Sequence, residues 1–97
     1  MLFNEEEIDI ICTALDLYAD SESSEIRPAL KQELIKTSLQ KLSVLSPFTH
    51  FSKQEFSIMW FSMNHFILLG QKLNDDIDEL AYRVCNRLAD LALPTGH

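Results

Sequence analysis

Apolar side chains recur every three or four residues in four stretches of the chain, and short polar stretches separate them. This spacing is typical of amphipathic helices that bury one face. It predicts four helices, at about residues 4–20, 25–45, 52–72 and 75–93. The sequence contains no strand-like alternation and no internal repeat. We therefore expect an all-α fold in one helical domain, residues 1–97, arranged as a compact four-helix bundle or an orthogonal four-helix array.

Two of the helix starts carry specific local signals. In each, a polar N-cap residue is followed three positions later by a glutamate, which is the spacing of a capping box. These pairs are Asn4 with Glu7 and Ser52 with Glu55. Apolar residues on either side of each N-cap are placed to pack as a hydrophobic staple. These pairs are Phe3 with Ile8 and Phe51 with Phe56. The third helix is predicted to end at Gly70 or Leu73, and the fourth to start at Asn74 or Asp75.

The third helix is apolar on more than one face. One set of side chains predicts the usual core stripe: Phe56, Met59, Trp60, Met63, Phe66 and Ile67. A second apolar set lies roughly opposite, and with one histidine it forms a predicted self-association face: Ile58, Phe61, His65, Leu68 and Leu69. Monomers rarely expose a contiguous apolar patch of several hundred Å². The second set therefore predicts self-association, burial within the chain with this helix at the centre, or a site for a different protein.

The charge is distributed unevenly along the chain. The net charge is −7, but the first 25 residues hold eight acids and no Lys or Arg, while the rest holds eight bases and seven acids. Part of this acidity follows one side of the first helix. It forms a predicted acidic partner face: Asp9, Thr13, Asp16, Asp20 and Glu22. Such a face favours a basic partner, although helix capping and a solvated surface also explain the acids.

Composition and charge argue against several classes of partner. An acidic chain is not drawn to nucleic acid or to anionic membranes, and a helix-turn-helix would have only Lys53 and Lys72 on its recognition helix. No apolar run approaches the ~20 residues needed to cross a bilayer. The N-terminus has no secretory signal. Cys12 and Cys85 are predicted to be buried free thiols, which fits a cytoplasmic protein.

No motif in the sequence indicates a catalytic, metal or cofactor site. The segment NDDIDE at 74–79 begins like an EF-hand loop, but Glu79 and Cys85 stand where the loop needs Gly and Glu. His50, His65 and His97 have no metal-ligand spacing. The carboxylates of the first helix leave metal-assisted catalysis as a minor alternative. We therefore expect no cofactor and no enzymatic activity.

Two hypotheses for the function remain. The first is a small acidic cytoplasmic protein with a regulatory or accessory role, which acts through protein–protein interaction and forms a homodimer through its third helix. The second is an inhibitor, immunity or antitoxin-like binder that uses the acidic first helix against a basic enzyme or nucleic-acid-binding protein. In general shape and charge, though in no motif, the chain resembles the acidic four-helix bacteriocin immunity proteins.

Overall fold

The computed structural model describes residues 3–21, 27–44, 49–72 and 79–92. These residues form four α-helices: α1, Glu5–Ala19; α2, Pro28–Ser43; α3, Lys53–Lys72; and α4, Glu79–Ala92. The described residues contain no strand, and the all-α, four-helix prediction is confirmed. The predicted ends of α2 at 25 and 45, the Leu73 alternative for the end of α3, and the ends of α4 at 75 and 93 lie outside the described residues.

Both predicted capping boxes are present. The Asn4 amide donates to Oε1 of Glu7 and the Glu7 amide donates to Oδ1 of Asn4, both at 2.9 Å. At the start of α3, the Ser52 amide donates to Oε1 of Glu55 at 2.8 Å, and the Glu55 amide donates to Oγ of Ser52 at 3.1 Å. Each box satisfies backbone amides that a helix start leaves without partners.

The predicted staple at the start of α3 is present, and both residues of the predicted staple at α1 pack against the core. The Phe51 and Phe56 rings lie 5.5 Å apart between centroids. Phe3 is buried, and Ile8 packs partly buried against the same core. Local side-chain pairs therefore set where α1 and α3 begin.

Helix α3 lies at the centre of the fold. It packs against each of the other three helices, and most extensively against α4. The described parts of α2 and α4 do not contact each other. The radius of gyration is 12.8 Å, close to the ~12.5 Å expected for a compact chain of this length.

The core is a continuous cluster of apolar side chains from all four helices. Ile58, Met59 and Met63 of α3 are completely buried, as are Leu15 of α1 and Leu88 of α4. Each such side chain contributes about 1.5–3 kcal/mol of transfer free energy when it leaves water. The buried arc of α3 therefore holds much of the fold together.

Polar groups at two places link distant parts of the chain. Nζ of Lys31, a buried residue, donates to the carbonyl oxygen of Ser21 at 2.8 Å and lies 4.8 Å from the centroid of the Tyr18 ring. Arg87 on α4 lies 3.5 Å from Oε2 of Glu7 and above the Phe3 ring. The first contact ties α2 to the end of α1, and the second ties α4 to its beginning.

Candidate functional site

The predicted acidic partner face is an exposed stripe along α1. Asp9, Thr13, Asp16 and Asp20 are all exposed, and helical spacing places them on the side of α1 opposite its buried residues. Glu22, the fifth predicted residue, lies outside the described residues. The hydroxyl of Thr13 donates to the Asp9 carbonyl oxygen at 2.9 Å, so its hydrogen is used within the helix. The outer surface of α1 is therefore acidic over about three turns.

A groove borders this stripe where α1 lies beside α4. It has a volume of about 470 Å³ and is lined by Glu6, Asp9, Ile10, Thr13 and Leu80. Ile10 and Leu80 are half-buried against the core, while Glu6, Asp9 and Thr13 are exposed. The groove thus has an apolar floor and an acidic wall on the α1 side.

Two aspartates of the acidic stripe affect the pKa of the Cys12 thiol. Its pKa is raised above the usual value by burial and, further, by the negative charges of Asp16 and Asp9. Burial alone raises the pKa of the Cys85 thiol. Both cysteines are free. Cys85 is buried as predicted, whereas Cys12 is only half-buried.

Not all five residues of the predicted self-association face lie on the surface of α3. Ile58 is completely buried in the core, so its assignment to an outer face is wrong. The reason is that α1, α2 and α4 together cover more of α3 than a two-neighbour bundle would. Phe61 and Leu69 are half-buried, and Leu68 is 63% exposed.

His65, also predicted on that face, packs against α1. Its ring lies 5.6 Å from that of Tyr18 between centroids. Its Nδ1 atom is buried, and no described residue forms a hydrogen bond with it. His65 therefore lies at the contact between α1 and α3, beside the Tyr18 ring that Lys31 covers.

The outward side of α3 differs from the predicted face. At about 100° per residue, the side opposite the buried arc carries Ser57, Trp60, Phe61, Asn64 and Leu68. We call these five residues the outward arc of α3. Trp60, predicted in the core stripe, is half-buried and packs against the core, and its ring lies 5.2 Å from that of Phe61 between centroids. Gln71 at the end of the arc donates to the Tyr82 hydroxyl of α4 at 3.2 Å.

A second groove lies between α2 and the start of α3. Its volume is about 380 Å³, and its lining includes Leu30, Thr37, Lys41 and Glu55. Nζ of Lys41 is 2.6 Å from Oε1 of Glu55 and 2.9 Å from the His50 carbonyl oxygen. Burial by itself would raise the pKa of Glu55, but hydrogen bonds from Lys41, Ser52 and Thr37 and the Lys41 charge bring it below the usual value. Thr37, Lys41 and Ser52 in this groove therefore all bond to Glu55.

The described residues provide few other candidates for chemistry. Within them, no group of three or more His, Cys, Asp or Glu side chains could hold a metal ion. No helix in the described ranges is both long and apolar enough to span a membrane. The EF-hand-like segment up to position 78, and His97, lie outside the described residues. His50 is exposed.

Comparison of the chain with protein-family models, with curated proteins and with solved structures finds no match. The candidate surfaces are therefore those that the geometry itself provides. They are the outward arc of α3 and the acidic stripe of α1 with its adjoining groove.

Proposed function

We propose that this protein acts through protein–protein contact in a regulatory or accessory role in the cytoplasm, and that it self-associates through the outward arc of α3. The observation that carries the proposal is the absence of charge on this surface. From Phe56 to Gln71, sixteen consecutive residues include no Asp, Glu, Lys or Arg. The Trp60–Phe61 ring pair and the exposed Leu68 lie within this stretch.

Charge favours a second copy as the partner on this surface. Two molecules with a net charge of −7 repel each other, most strongly where acidic surfaces meet. A symmetric pair places one surface against itself, so an uncharged apolar face is where two copies can meet at the lowest electrostatic cost. Tryptophan and other aromatic side chains are common anchors at such contacts.

The test compares two exposed apolar residues. Leu68 in the arc is 63% exposed and Val44 at the end of α2 is 73% exposed. We expect Leu68→Lys to convert a dimer into a monomer, while Val44→Lys leaves the mass unchanged. Light scattering after size-exclusion chromatography measures the mass, over about 1 µM to 1 mM because a small interface binds weakly.

Trp60 provides an independent signal because it is the only tryptophan in the chain. Further burial of its half-buried ring should shift its emission to shorter wavelength as the protein concentration rises, and Leu68→Lys should abolish the shift. A monomeric mass over the whole concentration range would refute self-association through the outward arc.

A second candidate function rests on the acidic stripe of α1. Asp9, Asp16 and Asp20 are exposed together on one side of the helix, which suits an inhibitor or antitoxin-like binder of a basic protein. Binding of this kind should weaken as salt increases. It should also weaken when the three aspartates are replaced by asparagine, a change that removes their charge and keeps the size of each side chain.

A further inference from the structure

The groove between α1 and α4 combines an apolar floor with a charged wall. Ile10 and Leu80 form the floor, and Glu6 and Asp9 stand on the α1 side. The inner sides of both helices are firmly packed, since Ile11 of α1 and Val84 of α4 are completely buried. The two helices that border the groove are therefore held in place by the core, which lowers the entropic cost of ordering them on binding.

Both features of the groove continue along α1 toward its C-terminus. Leu17 follows Ile10 by seven residues, so it lies on the same side of the helix about 10 Å further on. It is 39% exposed. Asp16 and Asp20, also exposed, continue the acidic wall. An apolar row bordered by carboxylates thus extends over about two turns or more of α1.

We propose that this row docks a basic amphipathic helix of a partner protein. Apolar side chains one heptad apart on such a helix would meet Ile10 and Leu17, and its Lys or Arg side chains would lie beside Asp9 and Asp16. Nucleic acid does not fit, because its phosphates would face the carboxylates. The inference rests on the second candidate function and adds to it the secondary structure and apolar spacing of the partner segment.

A partner bound by charge alone would not need apolar side chains at helical spacing. The experiment therefore compares two peptides that differ only in that spacing. The probe is a fluorescein-labelled 18-residue peptide of lysines and leucines, with the leucines at helical spacing. The control peptide has the same composition with the leucines scrambled. Fluorescence anisotropy measures the affinity of each peptide for the full chain at about 50 mM and about 500 mM salt. We expect the amphipathic peptide to bind at least tenfold more tightly than the scrambled one at low salt.

Two pairs of matched variants locate the site. Asp9→Lys and Asp90→Lys change the net charge equally at exposed aspartates, but only Asp9 lines the groove. We expect Asp9→Lys to weaken binding about tenfold. Asp90→Lys should weaken it only about twofold, which is the effect of the changed net charge alone. Leu17 and Leu30 are 39% and 40% exposed. Leu17→Ser should weaken binding about fivefold, whereas Leu30→Ser should not.

Each result separates the groove from simple charge attraction. Equal binding of the two peptides, or equal effects of the paired variants, would overturn the groove proposal while leaving a charge-driven binder in place. If neither peptide binds at low salt, both the groove and the second candidate function fail. Circular dichroism of every variant ensures that a loss of binding is not a loss of fold.

Discussion

Individual polar residues stabilise this fold where they complete hydrogen bonds at helix ends. Glu55 is the clearest example, because its buried carboxylate accepts from the Ser52 amide at 2.8 Å and from Nζ of Lys41 at 2.6 Å. Lys41 lies across the groove on α2, so one carboxylate both caps α3 and holds α2 against it. Glu7 does the same for α1 and α4 through Asn4 and Arg87.

The lowered pKa of Glu55 predicts how stability depends on pH. A carboxyl whose pKa is lower in the folded state than its unfolded value of 4.5 stabilises the fold above that pH, and the contribution is lost as the pH falls through the folded pKa. Glu55→Gln should therefore cost about 1–3 kcal/mol at pH 7 and flatten the pH dependence below 4.5. Urea denaturation at pH 7 and pH 3 measures both effects. An equal loss at the two pH values would contradict the account.

Cys12 provides a second test at the scale of one residue. The raised pKa of its thiol leaves little of the reactive thiolate at neutral pH. Asp16→Asn removes one of the charges that raise this pKa, so alkylation of Cys12 by iodoacetamide at pH 8 should become faster. Asp90→Asn, a distant exposed aspartate, serves as the control. Unchanged rates in both variants would show that burial alone sets the thiol pKa.

At the scale of the helix, α1 has no basic residue in its own last turn. The negative end of its dipole is met instead by Lys31 of α2, which donates to the Ser21 carbonyl oxygen just beyond the helix. A cation at this position interacts favourably with the negative end of the helix dipole. The end of α1 therefore depends on a neighbouring helix.

Replacement of Lys31 by methionine tests this dependence. The two side chains are similar in size, but Lys31→Met removes the hydrogen bond to Ser21 and the cation above Tyr18. We expect a loss of about 2 kcal/mol and faster hydrogen exchange in the last turn of α1. Lys36→Met, at an exposed position on the same helix, should change neither. Unchanged stability of Lys31→Met would mean that desolvation of the ammonium cancels its contacts.

The sequence predicted where helices begin better than it predicted which side of a helix is buried. Asn4 with Glu7 and Ser52 with Glu55 were predictable because their hydrogen bonds span only three residues. Ile58 was misplaced because the apolar residues of α3 do not show which neighbouring helices will cover them. Lys31 gave no signal of burial, since its partner, the Ser21 carbonyl oxygen, is brought near it only by the fold. The acidic stripe was predictable from spacing, whereas its groove required α4.

At the scale of the whole molecule, the central position of α3 separates its residues into two groups with different expected effects when mutated. Residues buried in the core should affect stability, and residues on the outward arc should affect self-association. Ile58→Ala should destabilise the fold by about 2–5 kcal/mol through the cavity it leaves, without changing the mass in solution. Leu68→Ala at an exposed position should change stability by less than about 0.5 kcal/mol. Thermal denaturation with light scattering on the same samples measures both quantities. If Ile58→Ala reduced the mass in solution and left the stability unchanged, Ile58 would lie in an interface and not in the core.

The central position of α3 also has a consequence for synthesis on the ribosome. Translation produces α3 before α4, the helix with which it packs most extensively. While only the first three helices have emerged, the side of α3 that contacts α4 is not yet covered. The nascent chain therefore passes through a stage in which its most apolar segment is open to chaperones or to other nascent chains. That stage ends only when the last helix emerges and docks.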